Sequence, residues 1–242
     1  MNWHSARRLI LLAALVCPTL GACAFTTDTL VPGYPPQPWA RRVNGAEQVA
    51  LRVEVRDMRR DRARVSVKKN GYGMEMAPIV SATDIAAFVR ANVALELARR
   101  GFTVGQTGLV VNVDLRKYFN DFKLGFMSGD ATAEVIFDVT AYQIGPDGEG
   151  PPIFLGHFEG AGENNGIQIC SGENAKVALD AAFVDAMRLM FSDRRFLAAL
   201  MQTAAPPPYA PPTPPVASHP GGPNALNVVP VPTDAPIPAP AF

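Results

Sequence analysis

His157 has the strongest claim in this sequence on proton or metal chemistry. Of three histidines, it alone falls inside a run of regular hydrophobic patterning. It occupies a polar position of an alternating segment, so Asp114, Glu134 and Asp138, polar positions of other alternating segments, are its expected neighbours on one sheet face. Histidine among carboxylates can bind a metal or carry protons. The chain has no H-E-x-x-H and no paired-histidine spacing, so a solvated sheet face accounts for the same residues, and neither metal nor cofactor is expected. Ser128 and Ser171 lack a credible His/Asp arrangement, and no G-x-S-x-G occurs, which argues against a serine hydrolase. Cys170 lies close to a helix start, where a thiolate is favoured, but a buried or merely tolerated cysteine is the plainer reading. Gly71-Tyr72-Gly73 is not followed by Lys-Ser/Thr and gives no phosphate loop.

The elements that must position these side chains are readable from periodicity. Val49, Leu51, Val53 and Val55 alternate with Arg52, Glu54 and Arg56. Leu109, Val111, Val113 and Leu115 alternate with Asn112, Asp114 and Arg116. Ala133, Val135, Phe137, Val139 and Ala141 alternate with Glu134, Asp138 and Thr140. A fourth strand is expected over residues 153–163 with Phe154 and Phe158 inward, after a hairpin connection in the turn-rich stretch 145–150. One polar face per strand argues for an antiparallel sheet. A helix capped by Thr83 or Ser81 should run to about residue 100, with Ile85, Phe88, Val89 and Val93 in one stripe and Gly101 as its stop. A second, capped by Ser171 and running over about 173–191, should turn Val177, Ala181, Val184, Met187 and Phe191 inward, with Leu179, Phe183 and Met190 widening the arc. Ser192-Asp193 should restart a short helix containing Phe196, Leu197 and Leu200. With a further extended segment at 75–80, the fold class is α+β: a two-layer sandwich of a mainly antiparallel sheet of about four strands with two main helices on one face.

Composition sets the outer limits. The chain balances 22 basic against 22 acidic residues, which gives no electrostatic case for nucleic acid. Residues 23–45 contain Pro32, Pro35, Pro36 and Pro38 with little periodicity and read as a tether. Residues 46–203 carry the strand and helix patterns and suit one domain. From Ala204 the prolines crowd, beginning with Pro206-Pro207-Pro208. That segment, 204–242, cannot bury a core or donate amides to a ladder and is expected to be disordered with polyproline II character.

At the N-terminus, Arg7 and Arg8 precede the apolar run 9–16, which is too short to span a bilayer and reads as a signal peptide over residues 1–22. The run closes on Leu20-Gly21-Ala22-Cys23, which resembles a lipobox: an aliphatic residue, two small residues and the cysteine that is acylated. The resemblance makes Cys23 the first mature residue and the lipidation site, palmitate being among the expected acyl chains. Each buried methylene contributes about 0.8 kcal/mol, so two or three chains make a permanent anchor. Ala24 in place of an aspartate implies the outer membrane, periplasmic face. Cys17 would leave with the signal and Cys23 would be acylated, so Cys170 would have no intramolecular disulfide partner.

Two stretches suit binding better than catalysis. Arg56, Arg59, Arg60, Arg62, Arg64, Lys68 and Lys69 crowd one segment interrupted by Asp57 and Asp61. It is either a solvated ribbon or a contact for anionic headgroups, cell-wall carboxylates or an acidic partner. Phe119, Phe122, Leu124, Phe126 and Met127 lie in or beside a hairpin connection, which either folds back on the core or offers an apolar patch to a partner or bilayer.

Beyond its signal, the chain resembles the YajG-type envelope lipoproteins over about residues 49–200. The residues that carry the likeness are Leu51-Arg52-Val53-Glu54-Val55-Arg56-Asp57-Met58-Arg59, Leu95-Glu96-Leu97-Ala98-Arg99-Arg100-Gly101-Phe102-Thr103-Val104, Val110-Val111-Asn112-Val113 and Phe158-Glu159-Gly160. The resemblance implies no established activity, and the proline-rich tail departs from the family. The resulting expectation is a non-enzymatic outer-membrane lipoprotein that binds an envelope protein or peptidoglycan. A cell-wall tether acting through the tail and an envelope-modifying enzyme are the alternatives.

Overall fold

The computed structural model describes residues 25–125, 128–146 and 148–202. In chain order the elements are β1 (Asp28–Leu30), a 3-10 turn (Ala46–Gln48), β2 (Ala50–Asp57), β3 (Ser66–Lys69), β4 (Glu75–Ser81), α1 (Ile85–Arg99), β5 (Thr103–Val104), β6 (Leu109–Leu124), β7 (Gly129–Gly145), β8 (Gly148–Ile167), α2 (Gly172–Ser192) and α3 (Arg194–Gln202). The expected α+β class holds, but there are two sheets. A five-stranded sheet has the order β5-β2-β6-β7-β8, and a three-stranded one has β1-β4-β3. The larger is mixed. β6, β7 and β8 are antiparallel, whereas β2 lies parallel to both β5 and β6. The chain between β2 and β6 makes a hairpin, a helix and a short strand, a crossover long enough to bring β6 back in β2's direction. The additional strands β1, β3 and β5 have two to four residues each, too short to show a period of two.

Alternation built the sheet's dry face as expected. Leu109, Val111, Val113 and Leu115 on β6, Val135, Phe137, Val139 and Ala141 on β7, and Phe154 and Phe158 on β8 are all buried in one core with helix residues. On β6 the alternation then changes phase. A bulge between Leu115 and Lys117 leaves Arg116 as an extra residue, so Arg116 and Lys117 both face outward and Tyr118, Asn120 and Phe122 turn inward and are buried. Beyond the point where β2 leaves β6, β3 takes over that flank: the Asn120 amide donates to the Val65 carbonyl at 2.9 Å.

α1 is capped by Asp84, one residue beyond the expected cap, whose carboxylate accepts from the Ala87 amide at 2.7 Å. Gly101 follows with φ +100 and ends it as expected. α2 is capped by Ser171, which accepts from the Asn174 amide at 3.3 Å. Its inward stripe differs from expectation: Val177 is exposed and Val184 half-buried, while Ala175, Ala178, Ala182 and Ala186 are fully buried. The cause is on the strand beneath. A Cβ at Gly160 would lie 2.3 Å from the Ala182 carbonyl oxygen, and one at Gly162 2.1 Å from that of Ala178. Two glycines let the helix backbone lie against β8, and only the small side chains of α2 fit that contact. Phe183 fills the centre, with ring centroids 4.9 Å from Phe88, 5.2 Å from Tyr34 and 6.0 Å from Phe137.

The segment read as a tether is a packed strap from Asp28 onward. β1 pairs with β4, Leu30 and Pro32 are buried, and the Gly33 amide donates to Asp180 at 2.8 Å. Tyr34 seats on Phe183, and Trp39 covers Arg100 at 5.2 Å. Arg100 is buried beside Glu96, to which it donates at 2.5 Å, and lies 4.1 Å over the Phe191 ring. Burial first, and then the Glu96 carboxylate, pushes the Tyr34 phenol well above its usual range. Prolines do not prevent such packing, because an edge segment needs few of its own amides. Residues 1–22, Cys23 and the proline-rich tail lie outside the described residues.

Candidate functional site

The three helices among the described residues pack on one face of the five-stranded sheet, where their buried residues join the strands' in one core. Among the described residues no helix packs on the opposite face, which is largely polar, although Val110, Asn112 and Tyr142 are buried there. Strand register lines up Arg56 with Asp114, Asp114 with Asp138, and Asp138 with His157. A charged row therefore crosses β2, β6, β7 and β8. Arg56 grips Asp114 with two donors, Nε to Oδ1 at 2.7 Å and Nη2 to Oδ2 at 3.1 Å. Asn112 Nδ2 donates to the same Asp114 at 3.2 Å. The bulge aims Arg116 across the row, and its Nε donates to Asp138 Oδ2 at 2.6 Å. His157 Nδ1 lies 2.7 Å from Asp138 Oδ1. Partial burial works to raise the Asp138 pKa, but hydrogen bonds from His157 and Arg116 outweigh it and hold the carboxyl below its usual range. An ionised carboxylate only accepts, so Nδ1 is the donor in this bond.

An Asp-His couple of this kind orients a base, but a base needs a group to deprotonate. Among the described residues no hydroxyl or thiol hydrogen-bonds to His157, and no cluster of three or more His, Cys, Asp or Glu is arranged for a metal. Beside the row is a polar hollow of about 200 Å³ between Glu54, Arg56, Asn112, Thr140, Tyr142 and Glu149. Tyr142 donates to Glu149 there at 2.9 Å; burial and then this bond raise the Tyr142 pKa. A larger open hollow of about 550 Å³ lies at the start of β2 and β6, near Gln106, Gln143 and Ile144, and among the described residues Arg52 is the charged side chain lining it. It holds no acid-base pair.

The binding residues expected from sequence fare unequally. Phe122 is 2% exposed and completes the core, so the apolar-patch reading fails for it. Leu124 is half-buried at the end of β6, while Cys23, Phe126 and Met127 lie outside the described residues. The basic segment does not form a continuous positive surface. Arg56 is bound to Asp114. Arg59 is buried and held by Asp57 at 2.8 Å and by the Arg62 carbonyl. Arg64 binds Asp61 and Glu75, Lys68 lies 3.7 Å from Asp28, and Lys69 donates to Asp121 at 2.5 Å. Arg60 and Arg62 remain exposed side chains of the segment. Cys170 is half-buried, and burial above all raises its thiol pKa despite Lys69 nearby, which disfavours the thiolate. The expected company of His157 is half right: Asp138 touches it, whereas Glu134 is bound to Lys117 at 2.8 Å and Asp114 sits one strand further. Sequence reading missed Arg116 as the bridge, since a bulge leaves no mark in an alternation pattern.

Among the described residues no helix is long and apolar enough to cross a membrane. The family model described as "Uncharacterized lipoprotein" matches residues 36–201. No curated protein matches the chain. Among solved structures, protein XCC0632 from Xanthomonas campestris is 12% identical, with 74% of this chain and 97% of that one covered at a TM-score of 0.45. A putative neuraminyllactose-binding hemagglutinin homolog from Helicobacter pylori is 9% identical, with 71% and 98% covered at a TM-score of 0.41. At these identities and scores the likenesses assign no function. The family match spans more than half of the sequence, and this chain belongs to the YajG-like family of uncharacterized lipoproteins.

Proposed function

We propose that this protein is a non-catalytic binding module, anchored through acylated Cys23 to the periplasmic face of the outer membrane, which presents the uncovered face of its five-stranded sheet to an envelope partner, protein or peptidoglycan. One observation carries the reading: a four-strand row of charges, each held in place by a cross-strand partner, lies on the face that no helix covers. Preformed pairs lose little side-chain freedom on binding, and a patterned charge surface selects its partner by complementarity more than by raw affinity. Among the described residues no hydroxyl or thiol hydrogen-bonds to the Asp-His couple, which favours binding over catalysis. Lipoprotein family membership and the lipobox at Cys23 support the anchor, and Ala24 supports the outer membrane.

The test combines anchor and face. Cys23→Ser is expected to abolish labelling by a palmitate analogue and to release the protein from membranes; retained labelling would contradict the anchor. In gently solubilised envelopes, Arg116→Glu together with Asp138→Arg is expected to remove the protein from any larger native complex or from peptidoglycan sacculi while its melt stays close to the parent's. Unchanged association would contradict the face.

A second reading has its own support. The last described helix ends at Gln202, and the proline-rich residues that follow would extend about 3.1 Å each as polyproline II, a reach beyond 100 Å. A cell-wall tether through that tail predicts that truncation after Thr203 abolishes co-sedimentation with sacculi, whereas the sheet-face reading predicts that it does not.

A further inference from the structure

Four of the exposed apolar side chains gather at one end of the described domain. Tyr72 is 91% exposed, Phe25 67%, Ile169 66% and Met74 58%, and the topology brings these four to one end. The turn at residues 70–74 joins β3 to β4. Next to it, Lys69 Nζ donates to Asp121 and to the Phe122 carbonyl near the end of β6. That end of β6 meets the start of β7, where Leu124 pairs with Gly129, and Gly129 pairs with Ile167 at the end of β8. Ile169 follows two residues later. It is tied by its carbonyl to Asn174 at 3.0 Å, and neighbouring Cys170 lies within the field of Lys69 and Asp121.

The direction of β1 completes the placement. β1 runs parallel to β4, with Asp28 opposite Ile79, and β4 runs away from the 70–74 turn. The chain before Asp28 therefore approaches from the side of that turn, which is where Phe25 lies. Cys23 precedes Asp28 by five positions, a covalent reach of at most about 18 Å. The domain's first strand is itself held to the body: Asp28 accepts from the Gly172 amide at 2.8 Å and lies 3.7 Å from Lys68.

We propose that this end of the domain, formed by Phe25, Tyr72, Met74 and Ile169, rests in the interfacial layer of the bilayer that holds the Cys23 anchor. The inference rests on the lipid-anchor reading and adds to it a docked orientation. Aromatic and aliphatic tips of this kind partition into the headgroup region, where Tyr keeps its hydroxyl wet. The occupant is a lipid surface because the anchor delivers one to within that reach. The contact is apolar and not charge-driven, since Lys68 and Lys69 face Asp28 and Asp121 at the same end. Docking at this end would leave the charged sheet face free for a partner.

The experiment uses the full-length acylated protein in phosphatidylcholine vesicles containing brominated lipid, with the acyl mass checked by mass spectrometry. Tyr72→Trp is compared with Leu155→Trp, Leu155 being 67% exposed on the uncovered sheet face. The parent supplies the background of its own Trp39. The expected result is a blue-shifted Tyr72→Trp emission that loses most of its added intensity to bromine, a Leu155→Trp emission unaffected by it, and no change when phosphatidylglycerol is included. Protein lacking acyl mass overturns the anchor and this inference together. Acylated protein whose Tyr72→Trp emission is untouched, or quenched no more than Leu155→Trp, overturns the inference alone. Quenching that appears only with phosphatidylglycerol overturns the apolar contact in favour of a charged one.

Discussion

The two faces of the five-stranded sheet come from the same alternating strands but are held by different forces. Under the helices, Gly160 and Gly162 bring β8 against the backbone of α2, Phe183 gathers four aromatic rings around it, and the buried Glu96–Arg100 pair sits between Trp39 and Phe191. Shape is fixed there to a fraction of an ångström, and close-packed interiors transmit any change of volume. On the open face the side chains meet as ion pairs in water, where each pair contributes little. The dry face determines whether the protein folds; the wet face can be rewritten without unfolding it. A surface that can change so cheaply while staying ordered is suited to recognition.

Substitutions should therefore separate the faces by size of effect. Arg100→Ala leaves the buried Glu96 carboxylate with Arg99 as its remaining guanidinium partner, and a loss of about 3 kcal/mol or more is expected in denaturant titration. Phe122→Ser removes a core ring and should destabilise by about 3 kcal/mol or more, whereas Leu124→Ser, at the half-buried strand end, should cost less than half as much; equal effects would mean that Phe122 is not the core residue of the two. Gly162→Val drives a side chain into the Ala178 carbonyl, and a melting point lowered by the equivalent of about 1–3 kcal/mol, or failure to fold, is expected. Arg116→Ala or His157→Ala should change stability by less than about 1 kcal/mol. The smallest effect concerns acid. Hydrogen bonds hold Asp138 below the ordinary aspartate value of 3.8, so its contribution is present above that pH and is lost as pH falls through the lower, folded-state value. Asp138→Asn should slightly flatten the acid limb of a pH–stability curve below about pH 4 and leave the neutral region unchanged.

How much was legible in the sequence follows from what alternation can encode. Leu109 to Leu115 and Ala133 to Ala141 were read correctly because a half-buried strand writes its two faces directly into the residue order. The bulge at Arg116 reverses the phase of β6, so Phe119 and Phe122 change roles, and nothing in the residue types announces the reversal. The α2 stripe was misassigned because apolarity favoured Val177 over Ala178 and Ala182. The deciding fact lay elsewhere, in glycines on a strand that only a close approach explains. The strap from Asp28 to Val43 was hidden by its prolines, since a segment that packs as an edge needs no periodicity. The polar members of the charged row were individually visible, but their alignment depends on register across four strands, which is a property of the fold.

The most direct test of the central claim places a photo-crosslinking amino acid at Leu155 on the open sheet face and, in a separate strain, at Val177 on the outer face of α2. Both positions are exposed, so labelling is not limited by access. In living cells the Leu155 probe is expected to give a discrete cross-linked product that disappears when Arg116→Glu and Asp138→Arg are introduced, and the Val177 probe is expected to give none. A discrete product from Val177, or one from Leu155 that survives the charge reversal, would contradict the assignment of the open sheet face as the binding surface.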